Sequence, residues 1–202
     1  MTETASMAFQ PDGSGGSSSK ALLFDYRQAA NPIRRGLTEP IPQARWGADL
    51  HRTGPSAVLP LDLSAALGCA SPATSPALCA NFVRILAGES LVVGANATSS
   101  LFYVLQGDGH CQRAASTIAP AVSQSWSRGD LFVLPAGADP ELSAAADSVL
   151  YWVHDAPLLQ FLGVSTNAAR FEFTHYPADW LRRVLDVLAA DPSSVQIGRA
   201  HV

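Results

Sequence analysis

The sequence predicts an all-β domain, a sandwich or a small barrel, on three observations. From Asn81 onward, short apolar runs are separated by turn signals at a spacing of roughly 8–12 residues. No helix-length pattern interrupts them before Pro157, which argues against parallel βαβ units. The chain has 202 residues, 48% hydrophobic and 15% charged, enough for one domain with tails.

The predicted strands, in order, are Phe82–Ala87, Ser90–Val93, Leu101–Gln106, Ala114–Ile118, Ser123–Trp126, Leu131–Leu134, Glu141–Ala145 and Ser148–Val153. Gly88, Gly107-Asp108-Gly109, Arg128-Gly129-Asp130, Pro135-Ala136-Gly137 and Ala146-Asp147 punctuate them. Alternation puts Phe102 and Val104 on one face and Tyr103 and Leu105 on the other. Asp62–Leu67 reads as one helical turn closed by Gly68, and Pro157–Leu162 as another ending at Gly163. Pro177 opens a longer helix over 177–190, where its missing N–H costs nothing. Trp180, Leu181, Val184, Leu185 and Leu188 form one apolar stripe on it, so it is expected to pack on the barrel or to connect to a further part of the protein.

The two ends are not read as fold. Residues 1–20 include PDGSGGSSS, too polar to offset the entropy of ordering, and are expected to be disordered. Residues 21–80 form an extended, proline-punctuated arm, 81–164 the barrel, and 165–196 a connector. The last six residues, Ile197 to Val202, can be back-translated as ATC GGA AGA GCA CAC GTC, which continues into a stop codon and spells a common sequencing adapter. The natural chain is therefore expected to continue past Gln196, and His201 carries no information.

Several function classes are set aside. The net charge is −4 and no basic block exists, so phosphate-driven nucleic-acid binding is not expected. No apolar run reaches the roughly 18 residues of a spanning helix, and no secretory signal precedes the domain. Cys69, Cys79 and Cys111 show no CxxC spacing and fit reduced thiols in a cytoplasmic protein.

Residues 88–109 (GESLVVGANATSSLFYVLQGDG) and 129–164 (GDLFVLPAGADPELSAAADSVLYWVHDAPLLQFLGV) carry a more specific signal. They resemble the cupin superfamily, and most of all the N-terminal half of gentisate dioxygenase-like bicupins, through Leu150–Pro157 and Leu162-Gly163-Val164. The resemblance implies a cupin-type double-stranded β-helix, a jelly-roll barrel with an N-terminal extended arm and a C-terminal helix. It also supplies a metal frame: Gly, five residues, His, one residue, His, three or four residues, Glu, six residues, Gly. That frame fits from Gly88 to Gly107 and puts Gly94 and Asn96 at the histidine positions and Ser100 at the glutamate position. The second frame fits from Gly129 through Pro135 and Gly137, with Pro140 at the histidine position and Ala144 at the asparagine position. The scaffold residues are kept and the ligands are absent. No metal and no cofactor is expected in this chain, and no catalytic residue is assigned. Any Fe(II) of the parent protein would belong to a missing C-terminal cupin.

The other histidines, His51, His110, His154 and His175, share no ligand spacing and read as surface or turn residues. No G-x-S-x-G elbow accompanies Ser99-Ser100, and His154 and Asp155, being adjacent on a strand, face opposite sides. Cys79 and Cys111 read as small hydrophobes. Arg84 in FVRILA shares a face with Phe82 and Leu86 and is either a solvent-facing arginine or a carboxylate grip inside the barrel. Trp126, Tyr151 and Trp152 are core or interface aromatics, or a stacking platform for a ligand.

The reading is a metal-free N-terminal half of a truncated gentisate dioxygenase-like bicupin, with a structural or oligomerisation role. The parent is expected to be a homo-oligomer and a ring-cleaving dioxygenase. A stand-alone cupin is the first alternative, holding a small organic acid through Arg84, Asn96, Ser100 and Trp152. A dioxygenase with a noncanonical site is the second.

Overall fold

The computed structural model describes residues 41–190, and the elements below all belong to the unit that begins at Ala44. The expected disorder of residues 1–20, the arm over 21–40 and the adapter-like residues 197–202 lie outside the described residues.

Among the described residues, ten strands make two antiparallel sheets that are not closed into one by hydrogen bonds. They are β1 (Ala57–Pro60), β2 (Cys79–Ile85), β3 (Ser90–Val92), β4 (Ser99–Gln106), β5 (Asp108–Arg113), β6 (Val122–Ser127), β7 (Leu131–Pro135), β8 (Glu141–Ala144), β9 (Ser148–His154) and β10 (Thr174–Tyr176). The larger sheet runs β1-β2-β9-β4-β7-β10 and the smaller β3-β8-β5-β6. Consecutive strands often lie in different sheets, as in a jelly roll, which is the architecture the resemblance implies. Short helices interrupt the chain at α1 (Asp49–Arg52), α2 (Ser64–Leu67) and α3 (Ala156–Leu162), and α4 (Ala178–Ala190) follows β10.

The core forms where the inner faces meet. Val83, Ile85, Phe102, Val104, Phe132, Leu134, Leu150 and Trp152 come from the larger sheet, Cys111, Val122, Trp126, Leu142 and Ala144 from the smaller. The period-2 pattern puts them there: Phe102 and Val104 are sealed, while Tyr103 and Leu105 lie on the outer surface. Across β9, β4 and β7 the rings of Trp152, Phe102 and Phe132 stack in one row, with centroids 5.6 Å and 5.0 Å apart.

Turn chemistry closes the end of the sandwich away from the start of β4. Gly107 (φ 82°) lets β4 turn directly into β5, and a Cβ there would strike the Ser148 side chain. Gly129 (φ 89°) turns β6 into β7 beside Ala178. One expectation is corrected here. Gly107-Asp108-Gly109 is not a multi-residue hairpin followed by a strand over 114–118. The turn is tighter, β5 begins at Asp108, and 114–118 is loop.

Two edge strands complete the larger sheet, β1 in the arm, which was expected to hold short strands at most, and β10 in the segment read as a connector. β1 pairs with β2 at one edge of the larger sheet, and β10 pairs with β7 at the other. Helix α4 follows Pro177 as expected, with Leu181 N–H donating to the Pro177 carbonyl. Its apolar stripe is not sealed: no residue of α4 is buried, and Leu185 is 63% exposed.

Candidate functional site

The loops after β3 and β7 and the ends of β4 and β5 meet at one end of the sandwich. There they enclose a cavity of about 20 Å³, room for about one water molecule. Gly94, Ser99, Ser100, Arg113, Gly137, Asp139 and Pro140 line it.

The strand register explains the meeting. Ser99 lies opposite Pro135 and Ser100 opposite both Leu134 and His154. Val93 N–H donates to the Pro140 carbonyl at 3.0 Å, which fastens the β3 exit to the β8 entry. Three of the four family ligand positions, Gly94, Ser100 and Pro140, thus converge on one cavity. Asn96 does not line it, its side-chain amide donating to the Val164 carbonyl at 3.3 Å. Ala144 is part of the core.

The residues at these positions do not fit a metal. Gly94 and Pro140 have no donor atom, Ser100 offers one neutral hydroxyl, and Asn96 is engaged elsewhere. Asp139 lies against Gly94, so closely that a Cβ on Gly94 would overlap its carboxylate. That leaves one carboxylate and a hydroxyl or two, with no imidazole or thiolate in the lining. Among the described residues no group of three His, Cys, Asp or Glu side chains could hold a metal ion.

The charge in the cavity wall is instead that of Arg113. It alternates with Cys111 on the inward face of β5 and is 2% exposed. Its Nη1 donates to the Pro135 carbonyl at 2.8 Å and its Nη2 to the Pro120 carbonyl at 3.2 Å. Its Nε has no partner among the described residues. No carboxylate forms an ion pair with it among those residues either. Burial pulls its pKa below the ordinary arginine value, with the nearby Cys111 opposing. Burial likewise raises the Cys111 thiol to about 12 against the pull of Arg113, so it is no nucleophile.

The expected ligand set does not assemble. Arg84 faces away from the interior, on the outer side of β2, where its Nε donates to the Pro55 carbonyl at 2.8 Å and its Nη1 to the Leu50 carbonyl at 3.1 Å. Alternation explains this: Val83 and Ile85 take the inward face, so Arg84 takes the other and clamps the segment before β1. Trp152 is locked in the aromatic row of the core, not offered to a ligand. Only Ser100 of the four lines the cavity.

The histidines serve local structure. His154 is buried at the same end, its Nδ1 accepting from Ala156 N–H at 3.3 Å. Burial lowers its pKa below 6.5, partly offset by Asp155. Asp155 itself ties down the β4 entry by accepting from Thr98 N–H at 2.7 Å. His110 on β5 meets the hydroxyls of Ser123 and Ser125. His51 packs on Phe82, with ring centroids 4.5 Å apart. His175 Nε2 meets Asp130 at 3.2 Å at the far end of the sandwich. Cys79 is buried opposite His154, and burial raises its pKa, which disfavours a Cys–His dyad.

Arg113 and Asp139 are the polar groups that sequence reasoning missed. Reading 108–113 as a strand would have put Cys111 and Arg113 inward together, and the second frame places Asp139 next to the vacated histidine position.

No family model matches the chain, and no curated protein matches its sequence. Among solved structures it is similar to a salicylate 1,2-dioxygenase from Pseudaminobacter salicylatoxidans, with a TM-score of 0.44 and 19% identity over 64% of this chain and 32% of that one. The same enzyme with gentisate gives a TM-score of 0.44 and 17% identity over 74% of this chain and 33% of that one. A cupin 2 conserved barrel domain protein from Leptotrichia buccalis gives 0.40 and 13% identity over 54% of this chain and 45% of that one. The match spans about a third of the length of the dioxygenase chains.

Proposed function

We propose that this chain is the metal-free N-terminal barrel of a larger two-barrel protein resembling the gentisate dioxygenase-like bicupins. Its role there is to hold the assembly together, and any metal-dependent reaction belongs to the other barrel. The observation that carries this reading is the cavity at the open end. The family frame brings Gly94, Ser100 and Pro140 around one point, and their side chains offer a single neutral hydroxyl, too little to hold a catalytic metal. A barrel that keeps its scaffold glycines and prolines while losing its ligands fits a structural role.

Two apolar surfaces support an assembly role. Phe161 and Leu162 on α3 are 85% and 58% exposed. On α4, Trp180, Leu185 and Leu188 are exposed along one stripe. Surfaces of this kind on a barrel suit burial against a second domain.

The test has two parts. The source locus, sequenced across the codon for Gln196, should continue in frame into a second barrel with an intact His-x-His, Glu and His set. A natural stop after Val202 would overturn the two-barrel reading. The purified chain, analysed for bound metal after expression with iron, manganese and zinc, should carry far less than one equivalent. A stoichiometric, chelator-resistant metal would overturn the metal-free reading.

A further inference from the structure

The cavity at the open end has a buried cation and, among the described residues, no counter-ion. The geometry points to a binding site there for one small monovalent anion, of the size of formate or a halide, held by Arg113. The inference does not depend on the two-barrel reading, because it uses only this chain's own wall.

Three observations carry it. First, Arg113 is almost wholly buried and, among the described residues, makes hydrogen bonds only to the neutral carbonyls of Pro135 and Pro120. Those carbonyls satisfy N–H groups but leave the net charge uncompensated, and an unpaired buried charge is costly. Second, its Nε–H has no acceptor among the described residues, so one donor on a delocalised cation remains open. Third, this side chain lines a cavity of about 20 Å³ that also receives Ser99 and Ser100. The hydroxyls are further donors for an anion.

The cavity's other polar group sets the selectivity. Asp139 lies on the solvent side of the same cavity, against Gly94, and forms no ion pair with Arg113. Its negative charge opposes a second negative charge entering beside it, so the site favours a monovalent anion over sulfate. The small volume beside Arg113 suits a small anion better than an organic acid of sugar size. In the family frame a metal cation would stand at this end, and here a guanidinium supplies the fixed positive charge.

The test is thermal unfolding of the full chain in sodium formate, sodium bromide, sodium sulfate and sodium gluconate at matched ionic strength. Formate and bromide should raise the midpoint relative to gluconate, by roughly 3–6 °C for each tenfold increase beyond half-saturation. Sulfate stabilises folded chains generally, so it should raise the midpoints of the unaltered chain and of Arg113→Met alike, whereas Arg113→Met should abolish the formate and bromide shift. Equal midpoints in formate, bromide and gluconate, or a formate or bromide shift that survives in Arg113→Met, would overturn the site. Where that variant does not fold, crystals of the unaltered chain grown in bromide decide. An anomalous peak within hydrogen-bond reach of Arg113 Nε supports the site, and water alone in the cavity overturns it.

Discussion

The two ends of the sandwich each bury an ionisable group, and they treat it in opposite ways. At the closed end, Asp130 accepts hydrogen bonds from Ser127 N–H at 2.9 Å and Ala178 N–H at 2.8 Å, and meets His175 Nε2 at 3.2 Å. One carboxylate thus joins the β6–β7 turn, β10 and the start of α4. At the open end, Arg113 among the described residues meets only carbonyls and leaves Nε without a partner, while burial disfavours the charged form of His154. The closed end is finished by its own residues. The open end is a wall with a charge in it and room beside the charge. Structure and binding have separated along the axis of one small fold.

The core between the two ends sets the largest expected effect. Phe102 lies in the stacked row between Trp152 and Phe132 and is fully buried. Phe102→Ala should cost about 3–5 kcal/mol, read as a lowered urea midpoint, because rings on both sides lose their contact at once. A loss below about 1 kcal/mol would mean that the two inner faces can close over the gap, and that the ends are less independent than they look.

The closed end comes next. Asp130→Ala removes an acceptor from two backbone N–H groups and one imidazole, and should cost about 1.5–3 kcal/mol. Burial alone would raise the Asp130 pKa, but the hydrogen bonds from Ala178, Ser127 and His175 outweigh it and hold the carboxyl below its usual 3.8. The sign follows from linkage. A group whose folded pKa is depressed stabilises the fold above its unfolded value and loses that contribution as pH falls through its folded value. The gap between the unaltered chain and Asp130→Ala should be constant at neutral pH and close only in strong acid. A gap that already closes well above the carboxylate range would mean that a group other than Asp130 governs this end.

A smaller acid effect belongs to the open end and lies at higher pH. Burial depresses His154 below 6.5, so the folded chain resists a proton that the unfolded chain accepts. Stability is full above pH 6.5 and falls as the pH drops below it toward the folded value. His154→Gln should flatten that limb of the urea midpoint against pH and leave the Asp130 limb in place. If both limbs flatten together, the two ends unfold as one unit.

Much of this contrast was legible in the sequence. The frame glycines at 107 and 129 fix turns at the closed end, and both carry the positive φ that only glycine adopts freely. The strands over 131–135 and 148–154 differ from expectation by a single residue, because β-rich apolar runs bounded by Gly, Pro and Asp leave little choice. Counting from Gly88 and Gly129 picked out Gly94, Ser100 and Pro140, which line one cavity. The bounds of the edge strands were not readable. β1 and β10 are short, and only pairing with β2 and β7 makes them strands at all. Arg84 stayed open between two readings because alternation gives two faces but not which is inner. Phe82 and Leu86 made its face look apolar, yet Val83 and Ile85 fill the core. Arg113 was hidden by the glycines before it: GDG reads as an extended turn, whereas the chain uses one glycine for the turn and starts β5 at once.

The smallest expected effect is the sharpest test of the difference between the ends. Arg113→Met in gluconate, with no small anion present, should change stability by no more than about 1 kcal/mol and need not lower it. The substitution gives up two hydrogen bonds to carbonyls, of which that of Pro120 belongs to an exposed residue and can turn to water. It also removes a buried charge that has no counter-ion among the described residues, and a methionine chain fills similar space without that cost. The two contributions nearly cancel. At the closed end they cannot, because Asp130→Ala leaves backbone donors stranded and relieves no unpaired charge. The urea midpoints of the two variants, measured side by side in gluconate, should therefore differ in size although each loses one buried ionisable side chain. Equal losses would show that Arg113 is as fully compensated by this chain as Asp130 is, and the distinction between a finished end and an open one would disappear.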